Sequence, residues 1–136
     1  MRSTVLGLVL AAGLAGCGAC SAAEAPNHAS LSEEAQCAAQ ARIAFHEAGW
    51  AANVSLAGSR YDTSSGRCFM SIIATLPPGF NFMVWNAFSG ATIGEYTSGT
   101  QALDSCALDH QIYFKRATDG DKYTKCVAAV SRLMDN

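Results

Sequence analysis

The hydrophobic pattern changes its period several times along this chain, and each change marks an element. Ser30-Leu31-Ser32-Glu33 has the S-x-x-E spacing in which a serine and a glutamate cap the start of a helix reciprocally. After it, Cys37, Ala38, Ala41, Ala44, Phe45 and Ala48 recur every three or four residues. That spacing predicts a helix from Leu31 to about Ala48, stopped at Gly49. Its apolar face is mostly alanine, which permits close approach to a sheet, with Phe45 filling the gap; Gln36, Gln40, Arg42 and Glu47 form the expected wet side. A Gly- and Ser-rich stretch from Gly58 to Gly66 reads as a loop. The period then switches to two. Cys68, Met70, Ile72, Ala74 and Leu76 share one face of a strand, and Phe69, Ser71, Ile73 and Thr75 the other.

Pro77-Pro78-Gly79 turns the chain. Phe80 to Phe88 alternates again, with Phe80, Phe82, Val84, Asn86 and Phe88 opposed to Asn81, Met83, Trp85 and Ala87. Ser89-Gly90 marks a hairpin, from which Ala91 to Thr97 returns as a third strand. Cys106 to Lys115 reads as a fourth. Thr118-x-x-Asp121 fits the cap of a last helix over residues 121–134, with Tyr123, Cys126, Val130 and Leu133 or Met134 inward. The expected fold class is α+β: an N-terminal helix, an antiparallel sheet of three to four strands and a C-terminal helix, with both helices on one face of the sheet.

Ahead of this domain, Met1-Arg2 supplies a positive charge and Val5 to Leu14 a ten-residue apolar stretch. That is the size of a signal-peptide core and about half of what a spanning helix needs. The stretch ends Leu14-Ala15-Gly16-Cys17, which resembles the lipobox of bacterial lipoproteins. The resemblance implies cleavage before Cys17 and lipidation of Cys17 as the mature N-terminus. Gly18 in place of Asp is the pattern of delivery to the outer membrane. Residues 1–16 are then the signal peptide, 17–29 the lipidated cysteine with a Gly-, Ala- and Ser-rich tether, and 30–136 the compact domain. The competing reading is ordinary cleavage after Ala23, which would discard Cys17 and Cys20 together.

Six cysteines are present, and four of them, Cys37, Cys68, Cys106 and Cys126, fall within the domain. In an oxidising compartment an even set on regular elements reads as two disulfides. Three connectivities are possible; Cys37–Cys68 with Cys106–Cys126 is favoured because each bridge joins a terminal helix to a neighbouring strand. Cys17-Gly18-Ala19-Cys20 has C-x-x-C spacing, but it sits at the signal boundary with no second pair at metal spacing. The run Cys37-Ala38-Ala39-Gln40-Ala41, then Phe45, then Tyr61-Asp62 before Arg67-Cys68-Phe69, is similar to small bacterial envelope lipoproteins of unknown function. Ala87-Phe88-Ser89-Gly90 followed by Glu95-Tyr96 is similar to their next hairpin. The final cysteine departs from the pattern, because it falls inside the last helix. The resemblance implies fold and envelope location, and transfers no activity.

Charge narrows the partners. Loss of Arg2 with the leader leaves eight basic residues against eleven acidic. The only adjacent cations are Lys115-Arg116, so the clustered positive charge that nucleic-acid binding needs is missing. His28, His46 and His110 show no metal-ligand spacing, and Asp119-Gly120-Asp121 lacks the remaining ligands of a calcium loop. Ser89 lacks the flanking glycines of a nucleophile elbow, and Glu95 has no evident carboxylate partner. No catalytic set, metal site or cofactor is therefore expected. Trp85, Phe88 and Tyr96 are the candidate exposed patch for an envelope protein or glycan. The expected function is a membrane-anchored, non-enzymatic binding or accessory module of the bacterial cell envelope. The alternative is a small periplasmic hydrolase or inhibitor-type protein acting on wall polymers, which would need His110 with Asp104 or Asp109.

Overall fold

The computed structural model describes residues 29–99, 103–109 and 113–135. The leader, Cys17, Cys20, His28 and His110 lie outside the described residues. The elements run α1 (Leu31–Glu47), β1 (Val54–Asp62), β2 (Arg67–Leu76), β3 (Gly79–Asn86), β4 (Thr92–Ser98), β5 (Ser105–Leu108), β6 (Phe114–Lys115) and α2 (Gly120–Arg132). All six strands form one antiparallel sheet in chain order, a meander in which each strand lies beside its sequence neighbours. The class is α+β with two disulfides, but the sheet has six strands, not three to four.

Two local features account for the extra strands. The stretch read as a loop is largely β1, which pairs with β2 from Val54↔Ala74 to Asp62↔Arg67 with a bulge between Leu56 and Gly58. Its small and polar residues hide the period of two. The single strand expected over Cys106–Lys115 is interrupted at Asp109, whose φ of 50° takes the chain out of extended geometry. The two sides of that break are β5 and β6, which pair antiparallel through Ser105↔Lys115 and Cys106↔Phe114.

The capping box at α1 forms as expected: Ser30 accepts from the Glu33 amide, and Glu33 accepts from the Ser30 amide at 2.8 Å. These bonds hold the Glu33 carboxyl below its usual range, with the bond from the Ser30 backbone the largest cause. At α2 the cap is Asp119, not Thr118, and it makes no side-chain cap bond. The Thr118 hydroxyl instead donates to the Asp119 carboxylate at 2.9 Å.

The helices lie on opposite faces of the sheet, not on one. Successive residues of a strand point to opposite sides. Cys68, Met70, Ile72 and Ala74 of β2 are buried together with Cys37 and Ala41 of α1, while Phe69 is buried with Tyr123, Cys126 and Val130 of α2. Both faces of β2 are therefore covered, which is why both of its residue sets are apolar. Each fully buried Met, Ile or Val side chain contributes about 1.5–3 kcal/mol. Contacts at the two ends of α2 reach different strands. The Tyr123 hydroxyl donates to the Thr97 carbonyl of β4 at 3.0 Å, and Arg60 of β1 donates to the Leu133 carbonyl at 2.8 Å.

Each face carries its own crosslink. Cys37–Cys68 ties α1 to the start of β2, and Cys106–Cys126 ties α2 to β5. This is the favoured pairing of the three. By loop-closure entropy, bridges at sequence separations of 31 and 20 contribute roughly 3–4 kcal/mol each.

Candidate functional site

The three residues of the expected patch do not come together. Trp85 pairs with Met70 and lies on the α1 face, where it packs edge-on against Trp50 with ring centroids 5.0 Å apart. Trp50 in turn stacks on Phe45 of α1 at 6.4 Å. The Trp85 and Trp50 indole nitrogens are buried, so neither offers its N–H to a surface ligand. Tyr96 pairs with Phe82 and lies on the α2 face, stacked on that ring at 5.2 Å. Because residues 82 and 85 of β3 differ by an odd number, the two aromatics point to opposite sides. Phe88 sits outside β3, in the turn to β4, 62% exposed, with its amide held by the Asn86 side chain at 2.9 Å.

Other polar candidates are engaged in local pairs. Asp104 is buried, 1% exposed, and takes a salt bridge from Arg116 at 3.0 Å. The Tyr113 hydroxyl donates to the Glu95 carboxylate, and that bond raises the Tyr113 pKa above its ordinary value. Asp109 and His46 are exposed, the latter in the last turn of α1. Among the described residues no three of His, Cys, Asp and Glu converge as metal ligands.

Two concave surfaces stand out among the described residues. One is an open groove of about 410 Å³ beside the second disulfide, floored by Leu108, Phe114 and Ala129 and rimmed by Asp109, Lys122 and Lys125. Of its cations, Lys122 pairs with Asp119 at 3.7 Å and sits 5.9 Å from the Phe114 ring centre.

The other surface lies at the β2–β3 turn. Leu76, Pro77, Pro78, Phe80 and Leu103 surround a groove of about 150 Å³ with no ionisable residue in its lining. Leu76 is 47% exposed, Phe80 37% and Leu103 74%. Turns are ordinarily polar, so an uncharged apolar turn is the feature with the least structural reason to exist. Below it, β3 and β4 make a close approach: a Cβ on Gly79 would meet the Ser98 carbonyl oxygen at 2.0 Å. Phe80 stands edge-on to Tyr96 at 6.0 Å, continuing the stack from Phe82. The sequence signal for this surface was Leu76-Pro77-Pro78 beside Phe80, which reads as punctuation until the turn is seen to project. No protein-family model, curated protein or solved structure matches the chain.

Proposed function

We propose that this protein is a bacterial lipoprotein anchored through acyl chains on Cys17, and that its domain is a non-enzymatic binding or accessory module of the cell envelope. The observation that carries the reading is Leu14-Ala15-Gly16-Cys17, placed directly after the ten-residue apolar stretch. Each buried methylene contributes about 0.8 kcal/mol, so two or three acyl chains hold a small domain at a bilayer stably. The domain's organisation supports the module reading. Its disulfides brace both helices, its buried acid is salt-bridged, and its most conspicuous surface is apolar and uncharged. Gly18 after the modified cysteine supports the outer membrane as the destination.

Intact-mass measurement of the full chain, expressed in a lipoprotein-processing bacterium, tests this reading. The expected mature mass begins at Cys17 and carries acyl chains, and reduction adds four protons for the two bridges. A mass beginning near Glu24 without lipid overturns the anchor and leaves a freely diffusing exported domain.

A further inference from the structure

We draw no further inference here: the strongest candidate, the open groove beside the Cys106–Cys126 disulfide with Leu108 and Phe114 at its floor and Lys122 and Lys125 at its rim, borders residues 110–112, which lie outside the described residues, and nothing in the structure shows what covers it.

Discussion

At the scale of single residues, the polar groups of this domain organise turns and ends. The turn from β1 to β2 is held by Asp62, which accepts from the hydroxyls of Ser64 and Ser65. Bonding to the charged form favours it, so the Asp62 pKa lies below its ordinary value, with the Ser65 bond the largest cause. Its folded pKa is thus depressed. The stability it contributes is present above the ordinary carboxylate range and is lost as the pH falls through the folded value. Ser65→Ala should raise the Asp62 pKa, read by carbon-13 carboxyl shifts in an NMR titration. An unchanged value would show that Ser64 alone sustains the turn. The aromatic residues make a different point. Phe80, Phe82 and Tyr96 were legible as strand residues from their period, but exposure was not. Nothing within nine residues of Trp85 reveals that Trp50 covers it.

At the scale of elements, close approach controls the packing of α2. It sits on β4 at Gly94, where an added Cβ would lie 2.8 Å from Val130 Cγ2 and 3.2 Å from Leu108 Cδ1. Gly94→Ala must push α2 away from the sheet, and overpacking of this kind costs about 1–3 kcal/mol. Gly120→Ala is the paired control, since nothing lies within 4 Å of its Cβ and the position opens a helix. Urea unfolding of the two variants should show destabilisation for Gly94→Ala and none for Gly120→Ala. The strand β1 shows why one element escaped the sequence reading. Its residues Ser55, Ala57, Gly58 and Ser59 have almost no hydrophobic contrast. It is a strand because β2 pairs with it along its length, and because Glu34 of α1 accepts an outward amide that an edge would leave unpaired. Pairing partners, not its own pattern, define it.

At the scale of the whole molecule, the domain is a sheet with a core on each side, each core stapled by its own bridge. The clusters around Cys37–Cys68 and Cys106–Cys126 share the sheet but no helix. Removing either bridge as a double alanine variant should destabilise by roughly 3–4 kcal/mol. Because the bridges lie on separate faces, the two losses should add within about 0.5 kcal/mol. Denaturant unfolding of both variants and of the four-alanine chain checks this. A strongly non-additive result would mean that one core folds only on the other.

The sequence by itself determined what depends on neighbours along the chain. The capping box and helical period placed α1, alternation placed β2 and β3, Pro77-Pro78-Gly79 placed the turn, and four of the cysteines fell on regular elements. The lipobox-like run is likewise a local signal, carried by residue order. Only the tertiary structure decided which side each face meets. Both faces of β2 are apolar, so its alternation cannot say where a helix packs; α1 takes one and α2 the other. Only the register of β3 against β2 and β4 put Trp85 and Tyr96 on opposite sides. And only the way the strands end left Leu76, Phe80 and Leu103 uncovered together, because surface is a property of how elements stop against one another and not of any residue's own chemistry.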